Sequence, residues 1–277
     1  MTDLLTPSET LALLTQLDIR PQKKLGQNFL IDSNIVQKSL VLGAVVEGDN
    51  IVEVGPGLGA LTRGLIQKGA NVFAVERDPK LYEYLLTLFD QELGEQFKII
   101  NEDAVAFPLA ENTFQNSEVK VIANLPYSIT SPWLEGVLES SLPKKMVLLV
   151  QKEAADRVLS VANCKQFSAL TIFVAGAYRK SGIYPVSANC FYPKPKVDSV
   201  LMVLQRRESP FLYSKKSKNI VRELFMHRRK RIGRGKSVSA MKDIVAEWAV
   251  TLGLEDLRPE QVDLEFWEQL ELRVRNS

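Results

Sequence analysis

Three glycines at alternate positions, Gly55, Gly57 and Gly59, break an apolar stretch and are followed by Ala60. Glycine lets the backbone turn sharply and approach a ligand with no Cβ in the way. Read literally, the segment satisfies the G-x-G-x-x-G/A pattern of a nucleotide-binding turn. Glu76 lies 19 residues beyond Gly57, where a carboxylate accepts hydrogen bonds from ribose hydroxyls. These features alone do not separate NAD from S-adenosylmethionine, because both present an adenosine ribose to the same site. Two further acids favour S-adenosylmethionine. Glu53 sits two residues before the first glycine, and Asp103 follows a strand at a place where it could accept from an adenine amino group.

The segment Asn124-Leu125-Pro126-Tyr127 carries a second chemistry. The exocyclic nitrogen of adenine is a poor nucleophile, because its lone pair is delocalised into the ring. Methyl transfer from a sulfonium requires that nitrogen to be pushed towards tetrahedral geometry. The Asn124 side-chain oxygen and the Leu125 carbonyl are acceptors suited to its two N–H bonds, and Pro126 fixes the turn that makes them converge. Tyr127 offers a face on which an unstacked base can lie. The methylated ammonium product is acidic and loses its proton readily, so no histidine base is required. Positioning and electrostatics would carry the catalysis.

These residues need a scaffold, and the apolar pattern supplies one. Asn50–Val54, Asn71–Val75, Phe97–Ile100, Val119–Ala123 and Met146–Val150 read as buried strands, with helices over Ala60–Lys68, from Asp78-Pro79, from Ser131-Pro132 and over Phe167–Tyr178. Such alternation predicts a parallel sheet with helices on both faces. Lys180–Pro185 and Val197–Leu204 then read as two consecutive strands, which suggests a hairpin and one antiparallel edge strand. From about Glu208 no strand is convincing, and Lys215–Arg231, Val238–Thr251 and Pro259–Arg273 read as helices. The expected division is a cofactor-binding α/β domain over 1–207 and a small α-helical domain over 208–277.

Composition narrows the remaining classes. The chain has 277 residues, 45% hydrophobic and 25% charged, as expected of a globular protein. No apolar run approaches the ~18 residues needed to span a bilayer. The start, Met-Thr-Asp-Leu-Leu, has no basic segment of the kind that opens a secretory signal. Cys164 and Cys190 stand far apart and His227 is the single histidine, which argues against a disulfide scaffold or a metal centre and for a reducing, cytoplasmic setting. The net charge is only +2, yet Arg222–Lys236 holds seven Lys or Arg and one Glu, so the rest of the chain is net negative. One concentrated basic stripe on a nearly neutral protein suggests a polyanion docking there.

Taken together the residues resemble one family, the small-subunit ribosomal RNA adenine N6,N6-dimethyltransferases. The likeness begins at Lys24–Leu30 (KLGQNFL) and runs through Glu53–Gly59 (EVGPGLG), Glu76, Asp103 and Asn124–Tyr127. It continues through Gln151–Glu153 (QKE) and Phe191–Ser199 (FYPKPKVDS). In the C-terminal part, Phe225–Lys230 (FMHRRK) matches the family's Phe-x-x-Arg-Arg-Lys, while the residues after it are more basic and glycine-rich than the family leads one to expect. Asn101-Glu102 also replaces the Gly or Gln often found before the family's Asp.

The resemblance implies a Rossmann-like class I methyltransferase sheet, S-adenosyl-L-methionine as cofactor and no metal. Asn28, Leu30, Glu53, Gly55, Gly57, Glu76 and Asp103 would hold the cofactor, and Asn124 would bridge cofactor and substrate. Leu125, Pro126 and Tyr127 would address the target adenine, with Phe191 closing over its edge or opposite face. Arg228, Arg229, Lys230 and Arg231 would contact RNA. The substrate implied is a pair of adjacent adenosines in the 3′-terminal hairpin loop of small-subunit RNA, within an immature subunit, acted on by a monomer away from any membrane. The competing readings are a large-subunit methyltransferase of the erythromycin-resistance type, a DNA adenine methyltransferase, an NAD-dependent oxidoreductase and a non-catalytic ribosome-assembly factor.

Overall fold

The structure, a computed structural model, describes residues 5–22, 26–93, 96–110, 118–234 and 242–277. In chain order its elements are α1 (Pro7–Gln16), β1 (Phe29–Leu30), α2 (Ser33–Gly43), β2 (Asn50–Val54), α3 (Ala60–Gln67), β3 (Asn71–Glu76), α4 (Pro79–Leu93), β4 (Phe97–Asn101), β5 (Val119–Asn124) and α5 (Thr130–Val137). They continue with β6 (Lys145–Gln151), α6 (Lys152–Val158), α7 (Ala169–Ala177), β7 (Tyr178–Val186), β8 (Phe191–Tyr192), β9 (Ser199–Arg206), α8 (Lys215–Met226), α9 (Lys242–Leu252) and α10 (Leu264–Arg275). Two compact units result: residues 1–155 with 180–206, and residues 156–179 with 207–277.

The first unit is built on a seven-stranded sheet in the order β4-β3-β2-β5-β6-β9-β7. Alternate strand residues Ile51, Val72, Ala74, Ile122, Val147, Leu149, Leu201 and Val203 pack with Val36 and Leu40 of α2, Leu61 and Leu65 of α3, and Leu85 and Phe89 of α4 in one core. The intervening residues, Val52, Val54, Phe73, Val75, Val121, Met146, Leu148 and Met202, are buried as well. Both faces of the sheet are therefore covered, which is why these strands read as continuous apolar runs. β3, β2, β5 and β6 pair in parallel with their neighbours, and β9 pairs antiparallel with β6 from Lys145–Gln205 to Gln151–Ser199. The antiparallel strand expected at the sheet edge lies one place in from it, with β7 outside. Hydropathy shows that a strand is buried but not which neighbours it takes.

The order of strands creates the site. β2 has β3 on one side and β5 on the other, so the chain leaves β2 in one direction and later resumes on the opposite side. At such a reversal the loops run apart and leave a crevice at the carboxyl ends of the strands. Backbone bonds fix the divergence. Beyond the pairing of Val52 with Val121, the Gly55 N–H donates to the Val75 carbonyl (2.9 Å) and the Leu125 N–H donates to the Leu149 carbonyl (3.1 Å). A second, two-stranded sheet pairs β1 with β8 antiparallel, Phe29 opposite Tyr192 and Leu30 opposite Phe191.

The second unit is helical among its described residues apart from the start of β7. Aromatic rings run through it: Phe167 meets Phe225 (6.0 Å between centroids), Phe225 meets Trp267 (5.8 Å) and Trp267 meets Trp248 (5.3 Å). The indole N–H groups are satisfied, Trp248 donating to the Phe266 carbonyl and Trp267 to the Val262 carbonyl. α8 ends at Met226, short of the expected Arg231, so Arg228, Arg229 and Lys230 occupy a turn after the helix and not its side. Cations there complement the carbonyl end of the helix dipole. The helix expected from Pro259 begins as a 3-10 turn, and α10 starts only after Asp263. Residues 238–241 of the helix expected over Val238–Thr251, and Lys24 and Leu25 of the N-terminal motif, lie outside the described residues.

Glu271 of α10 is 0% exposed and locks this unit to the start of α8. Both the backbone N–H and the hydroxyl of Ser214 donate to its carboxylate (3.0 Å each), and Arg275 pairs with it. Burial alone would raise this carboxyl, but the bonds from Ser217, Arg275 and Ser214 outweigh it and hold it below the ordinary 4.5. Replacing Glu271 by Ala orphans a buried amide, a loss of roughly 1–3 kcal/mol. The expected result is a melting temperature lower by about 3–8 °C in scanning calorimetry, with a smaller fall for Glu271→Gln, which keeps an acceptor.

Candidate functional site

A cavity opens at the divergence of β2 and β5, within the first unit. It is lined by Asn28 and Leu30 from the N-terminal segment, by Glu53, Gly55 and Gly57 from the end of β2, by Glu76 and Asp103 from the ends of the next two strands, and by Asn124 and Pro126 from the end of β5. Every residue expected to hold the cofactor is therefore on one wall or another of the same space. Gln27, Arg77, Ser128 and Ile129 also line it and were not singled out by the sequence reading. Arg77 had a usable signal, a cation directly after Glu76, the acid expected to face a ribose.

The glycine loop lies close under its neighbours. Gly55 and Gly57 have φ of +66° and +61°, a region that side chains disfavour. A Cβ on Gly57 would stand 3.0 Å from the Phe29 ring, and one on Gly55 would stand 3.4 Å from the Pro126 ring. Bare backbone is thus required for these loops to sit together and still face the cavity.

Two acids hold the loop from below. Glu53 is 1% exposed, and the Thr62 hydroxyl donates to it (2.7 Å). Burial pushes its carboxyl up to about 8, opposed by the Thr62 bond and reinforced by the nearby Glu76 charge. Glu76 accepts from the Gly57 N–H (3.2 Å) on one oxygen and from the Asp78 N–H (2.9 Å) on the other. Burial raises it to about 7, with those backbone bonds opposing. Each carboxylate oxygen has a second lone pair, so Glu76 can still accept from ligand hydroxyls. Gln27 donates to Asp78 (3.0 Å), which joins the N-terminal segment to the same network. Asp103 accepts from the Val105 N–H (2.9 Å) and pairs with Arg77 (3.0 Å).

On the β5 side, the Asn124 side-chain amide donates to the Asn28 carbonyl (2.9 Å). A carbonyl only accepts, so this bond decides which way the amide faces. The NH₂ group points to Asn28, and the side-chain oxygen is left as the acceptor directed elsewhere in the cavity wall. The Leu125 side chain is buried beneath the turn, which the Ile129 N–H closes on the Pro126 carbonyl (3.1 Å). Tyr127 is half-buried beside the cavity, and its hydroxyl bonds that of Ser199 (2.6 Å). Burial raises the phenol above its ordinary value. Phe191 is not on the cavity: it is 1% exposed, in the core beneath its strand partner Leu30.

The basic residues lie in the second unit. Arg229 and Lys230 are exposed, Arg231 pairs with Asp256 (2.6 Å), and Arg228 stands 3.7 Å from Glu260. Among the described residues no group of acids, histidines and cysteines could hold a metal ion, and no helix is long and apolar enough to cross a membrane.

The donor set suits a ligand with ribose hydroxyls, an adenine amine and a positive centre. Bare glycine backbone runs along the wall beside Glu76, to which Gly57 is bonded, Asp103 follows the next strand, and the buried carboxylates are groups that a cation would complement. Comparison with known proteins points the same way. A family model described as ribosomal RNA adenine dimethylase matches residues 19–269. The ribosomal RNA small subunit methyltransferase A of Opitutus terrae is 43% identical over 97% of this chain and 99% of its own. Its namesake in Clostridium perfringens is 35% identical over 90% of this chain and 89% of its own. Among solved structures, a dimethyladenosine transferase from Plasmodium falciparum is similar with a TM-score of 0.73 and 23% identity, over 90% of this chain and 98% of that one. The 23S rRNA methyltransferase ErmE has a TM-score of 0.63 and 24% identity, over 90% and 100%. Those two structures establish the fold, a class I methyltransferase sheet.

The buried acids give the protein a pH signature. A carboxyl whose folded value is raised favours folding fully below its ordinary 4.5, and that contribution fades as pH rises through the folded value. Glu53→Gln mimics the protonated form at every pH. Its melting temperature should match wild type near pH 4.5 and exceed it by a margin that grows up to about pH 8 and then levels off. A margin independent of pH would mean that Glu53 is ionised throughout.

Proposed function

The chain belongs to the ribosomal RNA adenine dimethylase family, and from that premise we propose that it uses S-adenosyl-L-methionine to dimethylate N6 of two adjacent adenosines in the 3′-terminal hairpin loop of small-subunit ribosomal RNA. The substrate in this reading is an immature small subunit in the cytoplasm, and the enzyme acts as a monomer. The observation that carries the reading is the Asn124–Asn28 bond, since it leaves an oriented acceptor at the end of β5.

The cofactor supplies, when bound, an electrophilic methyl carbon on a sulfonium. Glu76 holds the ribose hydroxyls, Asp103 accepts from the adenine amine, and Gly55 and Gly57 let the backbone lie against the ligand, with Asn28, Leu30 and Glu53 completing the walls. Asn124 Oδ1 and the Leu125 carbonyl accept from the two N6–H bonds of the target base and turn its lone pair outwards. Pro126 sets the turn that brings them together. Tyr127 carries the base on its ring. Phe191 fills the core under Leu30, so its part is to support that wall, and a position over the base would require it to leave the core. Arg228, Arg229, Lys230 and Arg231 neutralise RNA phosphates. In this reading cofactor chemistry belongs to the first unit and RNA contact to the second, which takes in residues 156–179 as well as the 208–277 expected. The large-subunit alternative has only fold-level support, from a structure 24% identical.

Labelled S-adenosylmethionine offered with unmethylated small-subunit particles, large-subunit RNA and duplex DNA tests the whole reading. Label confined to small-subunit RNA and recovered as N6,N6-dimethyladenosine is expected; label in large-subunit RNA would overturn it. Tyr127→Ala should keep cofactor affinity by calorimetry and lose at least ~100-fold in transfer, within the range for losing an aligned base. Neutralising Arg228, Arg229 and Lys230 to Gln should lower the slope of log affinity against log salt by about 2–3. An unchanged slope would place the RNA elsewhere.

A further inference from the structure

The segment Phe191–Ser199 ends in a hydroxyl that reaches Tyr127. Ser199 opens β9, a strand that continues Val200-Leu201-Met202-Val203-Leu204, all buried. It is itself 2% exposed, in register opposite Gln151. A hydroxyl in such a strand is unfavourable unless it is bonded, and Ala or Val would fill the place without that penalty. Its bond is to the Tyr127 hydroxyl, 72 residues away in sequence, at 2.6 Å.

The backbone of Tyr127 is already fixed. A Cβ at Gly26 would stand 3.0 Å from the Tyr127 nitrogen, and the turn is closed behind it by Ile129. The freedom left to the residue is the swing of its side chain about χ1, which carries the phenol oxygen through the widest arc. The far end of the ring is the place where one bond removes most of that freedom. We propose that Ser199 is a positioning residue for methyl transfer, whose hydroxyl holds the Tyr127 ring at the angle on which the target adenine stacks. This rests on the reading of Tyr127 as the stacking platform. Ser199 touches neither base nor cofactor in this role; it acts through the phenol.

Single-turnover transfer to unmethylated small-subunit particles, with cofactor affinity and melting temperature measured alongside, tests it. Ser199→Ala and Tyr127→Phe delete the same bond from its two ends. Each should slow transfer about three- to tenfold, the range set by one hydrogen bond. Cofactor affinity should not change. The double variant should be no slower than the slower single one, and Ser199→Thr should restore the rate. A Ser199→Ala rate within twofold of wild type, losses that multiply, or a rate that falls only together with cofactor affinity or melting temperature would each overturn the proposal. Tyr127→Phe keeps the test valid if Ser199→Ala folds poorly. Tyr127→Ala separates the two levels: normal transfer there removes the stacking role and the proposal with it, whereas wild-type protein that labels no adenine refutes the activity itself.

Discussion

Everything at this site depends on two backbone hydrogen bonds that pull in opposite directions. The Gly55 N–H is committed to β3 and the Leu125 N–H to β6, so the ends of β2 and β5 cannot continue pairing with each other. The space they leave is bounded by main chain on both sides, which makes it stiff. Its shape is then set by what the two loops allow. Pro126 can lie on Gly55, and Phe29 on Gly57, because neither glycine carries a Cβ. A parallel sheet that reverses its winding direction has to contain such an opening somewhere; here the residues with chemistry stand on its rim.

The buried acids are the unfavourable part of this design. Glu53 and Glu76 are removed from water next to each other, and both resist ionisation for that reason. Each is tied to a neighbour that fixes its orientation, Thr62 for Glu53 and the Gly57 amide for Glu76. The Gly57 bond ties Glu76 to the glycine loop and stabilises the turn at the cavity wall. A ligand carrying positive charge would lower the penalty for ionising both groups.

Much of this was legible in the residues, and the parts that were not have physical reasons. Asn50–Val54 was bounded correctly because it is buried on both faces and ended by glycine. The glycines and acids that line the cavity could be named because such residues at strand ends have few structural alternatives in that pattern. Strand order was harder: the buried apolar run of β9 and the more exposed β7 indicate an inner and an outer strand, but which neighbours each takes depends on pairing partners. α8 stops at Met226 although Arg and Lys are good helix formers, so local propensity overstated its length. Pro259 looks like a helix start, yet Asp263 begins the α-helix proper, leaving the proline in a 3-10 turn. Pairings such as Tyr127 with Ser199 or Asn124 with Asn28 join distant segments and leave no local trace in the sequence.

The small β1–β8 sheet has a consequence for how the molecule comes into being. Phe29 and Leu30 form part of the cavity wall, and their strand partners are Tyr192 and Phe191. Translation delivers the first pair early and the second late, at about 5–20 residues per second. Through most of synthesis the wall has no strand to lean on, and β9, which backs Tyr127, arrives later still. Closing so long a loop adds little to the final free-energy balance, because that term grows only slowly with length. The delay is one of timing. A nascent chain of this protein therefore lacks the strand that braces Phe29 and Leu30 until Phe191 and Tyr192 have left the ribosome that makes it.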